Sequence, residues 1–155
     1  MPHKLILPNE FLSVAEEELE EGRSVRLLAD GASMNPFIHG GKDYAEIAPL
    51  DADADLELWQ VYLFKYNGQY IIHRFIGKDG EIFRMLGDGN LWIEERVMRE
   101  DVIGVLHKIH RPDGKSVVCT SEKWKRKGKL WNQLLPLRRY LLGVWRRLYR
   151  YGIIR

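Results

Sequence analysis

The stretch "LELWQVYLFKYNGQYIIHRFIGKDGEIFRMLG", residues 56–87, decides the fold class of this 155-residue chain. It holds three runs that are rich in β-branched and aromatic residues. Asn67-Gly68 separates the first two runs, and this dipeptide is a strong sequence marker of a tight β-hairpin. Residues 78–80, "KDG", mark a second turn before the third run. Three such runs joined by short turns predict an antiparallel β-meander.

Weaker strand patterns flank the meander on both sides, separated by clusters of turn-forming residues. The segment directly after the meander, residues 88–97, lacks such a pattern and is expected to form a loop or short turn. An amphipathic helix is predicted over residues 9–22, ahead of all the strands. The expected fold class is therefore mostly β with one N-terminal helix. The flanking strands are predicted at residues 24–30, 43–50, 101–111 and 116–120.

Charge divides the chain into two parts. Residues 1–122 hold 13 Lys and Arg against 22 Asp and Glu, whereas residues 123–155 hold 11 Lys and Arg and no acid. The basic part has a helical pattern of apolar residues, which Pro136 should divide into two short helices or one kinked helix. We therefore expect a β domain over residues 1–121 and a basic amphipathic helical tail over residues 122–155.

Composition disfavours several classes of protein. Cys119 is the only cysteine, so no internal disulfide can form, and neither a cysteine pair nor a His-rich tract suggests a metal site. No cofactor is expected. The longest uncharged run of the tail has eight residues, whereas a membrane-spanning helix needs about 20. The apolar stretch within residues 1–10 is also too short for a secretory signal peptide.

Three short motifs could carry chemistry. A turn bounded by glycines contains Ser33, the second strand of the meander contains His73, and the turn "GDGN" at residues 87–90 follows the third strand. Each motif alone has an ordinary interpretation, namely a loop serine, a half-buried strand histidine and a common polar turn. Their order along the chain is more informative than any one of them.

This order resembles that of the signal-peptidase-I-like serine peptidases, which are grouped with the LexA-type autoproteases. The bacterial and LexA-type members use a lysine with the serine, whereas the endoplasmic-reticulum, archaeal and sporulation-type signal peptidases carry His-Arg at that position. This chain resembles the second branch. The resemblance spans residues 28–106 and rests on Ser33-Met34-x-Pro36, Gly41, His73-Arg74, Gly87-Asp88-x-Asn90 and Ile103-Gly104.

The resemblance implies a serine endopeptidase of the signal-peptidase/LexA type with a β core. Ser33 would be the nucleophile and His73 the base. The third member would be Asp88, which lies in the matching motif, or its rival Glu94, which stands where an aspartate is usual and has Glu95 beside it. The substrate would be an extended peptide added to a sheet edge, with small residues next to the cut.

Three further positions are expected to bind or frame the substrate. Met34 would pack beneath the substrate and Pro36 would fix the turn. Arg74 would hold the loop by pairing with Asp88 or Glu94, although a solvated strand arginine is an equal alternative.

The chemistry requires these residue types for simple reasons. A serine hydroxyl is a poor nucleophile unless a base takes its proton, which a neutral imidazole within hydrogen-bond reach can do. A carboxylate on the other ring nitrogen fixes the tautomer and stabilises the imidazolium. The backbone N–H of Ser33 can stabilise the oxyanion. Some relatives add a hydroxyl two residues earlier, where this chain has Gly31, so a second donor must come from backbone or water.

The basic tail has three interpretations. It could lie in the plane of an anionic membrane, pack on the β domain, or bind nucleic acid. Nucleic acid ranks last because residues 1–122 are acidic and no base-reading motif is present. Trp124, Trp131 and Trp145 would suit all three.

The expected function is therefore cleavage of a precursor or leader peptide by a serine endopeptidase. Since no spanning helix is predicted, the site should face the cytoplasm, with peripheral contact at the inner membrane face. The alternatives are a catalytically inactive peptide- or membrane-binding module of the same fold, and a LexA-type protease that cleaves itself.

Overall fold

The computed structural model describes the backbone of residues 9–154 and the side chains of residues 12–154. The expectation about a signal peptide concerns residues outside this range. Within it, eight strands form an antiparallel sheet, with one helix before the sheet and two after it, so the prediction of a mostly β fold is confirmed. The elements are α1 (Asn9–Glu20), β1 (Val25–Leu28), β2 (Tyr44–Pro49), β3 (Val61–Tyr66), β4 (Gln69–Asp79), β5 (Ile82–Leu86), β6 (Glu94–Val97), β7 (Val102–His110), β8 (Ser116–Val118), α2 (Glu122–Gln133) and α3 (Arg138–Arg150).

The strand order is β1-β2-β7-β3-β4-β5-β6, and β8 pairs with the end of β7. The predicted three-stranded meander is present, since β3, β4 and β5 are neighbours in chain order, and β6 extends it by one strand. β7 joins it to the β1–β2 pair, because β7 pairs with both β2 and β3. This long-range pairing brings the β1–β2 connection to the same side of the molecule as the meander.

The hairpin between β3 and β4 has the turn that its sequence predicts. Asn67 and Gly68 both have positive φ, 49° and 73°, as a type I′ turn requires. The turn closes on Tyr66 opposite Gln69. It fixes the register of β4, so His73 lies opposite Tyr62.

Two parts of the sheet differ from the sequence prediction. The first strand of the meander begins only at Val61, since residues 56–60 form an irregular turn in which Trp59 has a φ of 71°. Residues 94–97, expected to be a loop, form strand β6 and pair with β5. β6 places Glu95 and Val97 inward. Because one inward residue is a glutamate, the segment lacks the alternation of apolar and polar residues that usually marks a strand.

The core has two parts, one on each face of β3. Val61 and Leu63 pack into the first part, whereas Tyr62 and Phe64 pack into the second, as the alternation of side chains along a strand dictates. Both faces of this strand are buried, and it lies at the centre of the fold. The first part also receives Trp124 from α2.

The tail forms two helices, as Pro136 predicts. The Ser121 hydroxyl accepts the Trp124 N–H and begins α2, and a short 3₁₀ turn over Leu135–Leu137 separates α2 from α3. Trp124, Arg138 and Leu142 are buried, so these helices pack on the β domain.

None of the helices within residues 9–154 combines the length and the apolar character needed to cross a bilayer.

Candidate active site

Ser33 lies in a compact turn between β1 and β2. Gly31 and Gly41 have positive φ at the two ends of this turn, and the Gly41 N–H donates to the Ala29 carbonyl at 2.7 Å. The Gly89 N–H donates to the Ser33 carbonyl at 2.8 Å. The turn is thereby attached to the loop that follows β5.

The loop over residues 87–90 approaches the Ser33 turn so closely that two of its positions must be glycine. A Cβ on Gly89 would overlap the Ala32 carbonyl oxygen. A Cβ on Gly87 would overlap the Ser33 carbonyl oxygen and would lie 2.8 Å from His73 Nε2. The Ser33 carbonyl and His73 Nε2 therefore both lie next to Gly87, although the two residues are 40 positions apart in the chain.

His73 is buried, with 4% of its surface exposed, and each ring nitrogen has a distinct environment. Nδ1 lies 2.8 Å from Glu95 Oε2. With Glu95 ionised, Nδ1 carries the proton and donates, which leaves Nε2 as the acceptor. Nε2 is the nitrogen that faces Gly87 and the Ser33 turn. Phe64 contacts the ring edge-on at a centroid distance of 6.2 Å.

Ser33 and His73 line the same cavity, which has a volume of about 850 Å³. Within residues 9–154, the Ser33 hydroxyl and N–H form no hydrogen bond in the structure. Both groups are therefore available to an incoming molecule. Apolar side chains form most of the other walls, among them Leu27, Met34, Ile38, Leu63 and Ile72.

The carboxylate on His73 belongs to Glu95, whereas the sequence predicted Asp88 or Glu94. Asp88 instead makes two hydrogen bonds to Arg74, at 2.8 and 2.7 Å. Glu94 makes two to Arg84, at 2.9 and 2.7 Å. The difference follows from β6 being a strand, since neighbouring residues of a strand point to opposite faces.

Arg74 serves the loop and not a substrate. It is 1% exposed, and besides Asp88 it donates to the Trp59 carbonyl at 2.6 Å. Its guanidinium lies over the rings of Phe37 and Trp124, 5.3 and 5.1 Å from their centroids. The predicted pairing with Asp88 is thus present, and the expected contact with substrate is excluded by burial.

The two remaining predicted residues have different outcomes. Met34 is buried and lines the cavity, and its sulfur lies 3.5 Å from the Asp88 nitrogen. Pro36 follows a cis peptide bond, and its carbonyl lies 3.1 Å from His39 Nε2. Pro36 is not among the residues that line the cavity of Ser33 and His73.

No pattern in the sequence indicates that the tail supports the site. Trp131 Nε1 donates to the Asp88 carbonyl at 2.7 Å. Arg138, 1% exposed, donates to the Asn90 carbonyl at 2.9 Å. The loop that carries Gly87 is therefore held between the Ser33 turn and the C-terminal helices.

Two titratable groups help to narrow the chemistry. The Arg84 guanidinium lowers the pKa of Glu94, which keeps that carboxylate ionised and engaged away from His73. Burial raises the pKa of Cys119 to about 12, so its thiolate is negligible at neutral pH and it is no rival nucleophile. The site thus holds a hydroxyl, an imidazole and a carboxylate beside an open cavity, and these are the groups that acyl transfer uses.

Comparison with protein-family models, with curated proteins and with solved structures found no match to this chain.

Proposed function

We propose that this protein is a serine endopeptidase that cleaves a precursor or leader peptide through Ser33, His73 and Glu95. One observation carries the proposal: the buried His73 ring contacts Glu95 through Nδ1 and turns Nε2 toward the Ser33 turn at an open cavity. Among the described residues, neither His73 Nε2 nor the Ser33 hydroxyl has a hydrogen-bond partner, so both groups are available to a substrate.

The proposed reaction proceeds in two steps. The Ser33 oxygen attacks the scissile carbonyl while its proton passes to His73 Nε2, and the Ser33 N–H donates to the oxyanion. The C–N bond then breaks as Nε2 returns the proton to the leaving amine. Water, deprotonated by the same nitrogen, attacks the acyl-enzyme; the bond from the Ser33 oxygen to the acyl carbon breaks, Nε2 returns the proton to that oxygen, and the new carboxylate is released. Glu95 remains ionised and stabilises the imidazolium throughout.

Two free strand edges favour an extended peptide as the substrate. Among residues 9–154, β1 pairs only with β2, and β5 pairs with β4 only from Arg74 onward. Among the described strands, residues 69–73 therefore pair on one side alone, and the cavity lies along both free edges. An extended chain placed there can hydrogen-bond to backbone on either side. The apolar walls favour small or apolar side chains in the bound segment.

The proposed location is the cytoplasmic face of an anionic membrane, and the tail favours the membrane contact. Tyr140, Leu141 and Val144 are 62%, 38% and 56% exposed, and at 100° per residue they fall on one side of α3. Arg139 and Arg147 form no ion pair with any described residue. An exposed apolar strip beside unpaired arginines is typical of a helix that lies in a membrane interface.

The test is digestion of a proteome-derived peptide library, with new termini identified by mass spectrometry. The wild-type chain should generate a family of cleavage sites with a common pattern, and Ser33→Ala should generate none. Cleavage that survives in Ser33→Ala would contradict the proposal.

The same experiment separates the alternatives. If neither the wild type nor Ser33→Ala cleaves the library and both proteins retain peptides, the result would favour an inactive peptide-binding module. A loss of intact mass on incubation of the wild-type chain alone, absent in Ser33→Ala, would favour self-cleavage.

A further inference from the structure

A second cavity lies on the other side of the Ser33 turn. It has a volume of about 490 Å³, within the range of ligand-binding pockets. Residues of the turn form one wall, and α3 forms the other. The larger side chains that line it are those of Asn35, His39, Trp145, Arg146, Tyr149 and Arg150.

Only small residues separate this cavity from the one that contains His73. Gly31, Ala32 and Gly40 line both cavities, and a Cβ on Gly40 would overlap the Gly31 carbonyl oxygen. The boundary next to Ser33 therefore carries no side chain larger than a methyl group. A peptide whose scissile bond lies at the Ser33 hydroxyl would need to cross only this boundary to reach from one cavity into the other.

The α3 wall is rigid and aromatic. Trp145 and Tyr149 stack with a centroid distance of 5.0 Å and an interplanar angle of 17°. His39 contacts both rings, at centroid distances of 5.6 and 5.5 Å. The Tyr149 hydroxyl also accepts a hydrogen bond from Lys42. These contacts order the wall before any ligand binds, which reduces the entropic cost of binding.

Arg146 and Arg150 give this wall its charge. They are one helical turn apart on α3, both are exposed, and neither forms an ion pair with a described residue. By contrast, Lys125 of α2 pairs with Glu122 and Glu57. Since residues 123–155 contain no acid, no neighbour on the helix can neutralise the two guanidinium groups, which suit bidentate binding of carboxylates.

We propose that this second cavity binds an acidic segment of the substrate, on the flank of the scissile bond that the two strand edges do not hold. The substrate class is thus a precursor with Asp or Glu within a few residues of the cleavage site. This inference rests on the proposed function for its biological meaning, whereas the binding it states can be measured without catalysis.

The experiment uses Ser33→Ala protein and fluorescein-labelled peptides, so that no turnover occurs. Each peptide joins an alternating Ala/Val segment to a run of three glutamates or three glutamines, and both orders of the two halves are made. Binding is measured by fluorescence anisotropy. In one of the two orders, the glutamate peptide should bind about tenfold more tightly than its glutamine counterpart, as two charge-assisted contacts would produce.

Matched charge reversals locate the effect. Arg146→Glu with Arg150→Glu, introduced into the Ser33→Ala protein, should abolish the preference for glutamate. Arg139→Glu with Arg147→Glu makes the same change of charge on α3 outside the cavity. This control variant should retain most of the preference for the glutamate peptide. Equal binding of glutamate and glutamine peptides, absence of binding by either, or equal losses in both double variants would overturn the inference. Failure of library cleavage would instead count against the peptidase proposal alone.

Discussion

Glu94 and Glu95 are neighbours in the chain, yet they have different partners. Glu95 is 7% exposed and contacts His73, whereas Glu94 is partly exposed and pairs with Arg84. A carboxylate behind the imidazole fixes its tautomer and stabilises its charged form, but a carboxylate on a surface arginine does neither.

Replacing these two glutamates should therefore have unequal effects on activity. Glu95→Gln keeps the size of the side chain and removes its charge, so we expect the rate of peptide cleavage to fall about 10²- to 10⁴-fold. Glu94→Gln should retain a rate near that of the wild type. The measurement is kcat/KM on one peptide chosen from the library digest. Equal activity of both variants would remove Glu95 from the mechanism.

His39 should make stability depend on pH. Its pKa is lowered, chiefly by burial against the rings of Trp145 and Tyr149. As the pH falls below about 6.5, the unfolded chain binds a proton at this position more readily than the folded chain does. Stability is therefore undiminished above that pH and decreases below it, by at most about 1.4 kcal/mol per pH unit for this one group.

The check is urea unfolding of wild type and His39→Phe at pH 7.5 and 5.5. The phenylalanine preserves an aromatic ring and cannot titrate, so the variant should lose less stability than the wild type between the two pH values. A variant that loses as much as the wild type would show that other groups account for the pH dependence.

At the scale of elements, two glycines in the C-terminal helices have opposite surroundings. A Cβ on Gly128 of α2 would overlap the Arg74 guanidinium, which is fixed by Asp88 and Trp59. A Cβ on Gly143 of α3 would have no atom within 4 Å. Since alanine favours helices over glycine by about 1 kcal/mol, only the local contact distinguishes the two sites.

Gly128→Ala should lower the free energy of unfolding by about 1–3 kcal/mol, whereas Gly143→Ala should raise it by up to about 1 kcal/mol. Chemical denaturation of both variants measures this difference. Gly128→Ala should also reduce peptide cleavage, because Arg74 and Asp88 support the loop at Gly87. Equal stabilisation by both substitutions would mean that α2 does not pack on Arg74 as described.

The apolar strip of α3 gives a second test at this scale. Leu141→Asp with Val144→Asp should reduce binding to phosphatidylcholine/phosphatidylserine vesicles about tenfold or more, since both side chains are exposed and a charge opposes entry into the interface. The measurement is vesicle sedimentation. Val118→Asp, the same change at an exposed valine of β8, is the control. Equal sedimentation of the double variant and the wild type would contradict membrane contact through α3.

Most elements could be predicted from the sequence because their patterns reflect local chemistry. Asn67-Gly68 specifies its own turn, and Pro136 cannot continue a helix whatever surrounds it. β6 could not be predicted, because one of its two inward positions holds Glu95, which lies there for its contact with His73. A position that breaks a local rule is often a functional one. Here the inward Glu95 explains both why β6 was not predicted as a strand and why the carboxylate beside His73 was not identified.

At the scale of the whole molecule, the site depends on contacts between distant segments. The order of motifs along the chain predicted that Ser33, His73 and the loop at Gly87 form one site. Their meeting is set by the pairing of β7 with both β2 and β3, and by glycines that permit close backbone contact. The support from Trp131 and Arg138 could not be predicted from a local pattern. In the sequence of a basic amphipathic helix, an arginine or tryptophan that packs on the β domain cannot be told from one that faces solvent.

The proposal depends most on the Ser33 hydroxyl and the His73 imidazole acting together at an open cavity, with His73 Nε2 taking the hydroxyl proton when a substrate is attacked. The most direct measurement is reaction of the intact protein with a fluorophosphonate, followed by mass spectrometric mapping of the modified residue. We expect a single adduct on Ser33, formed at least about 100-fold more slowly in His73→Ala. Modification of another residue, no modification at all, or an equal rate in His73→Ala would contradict it.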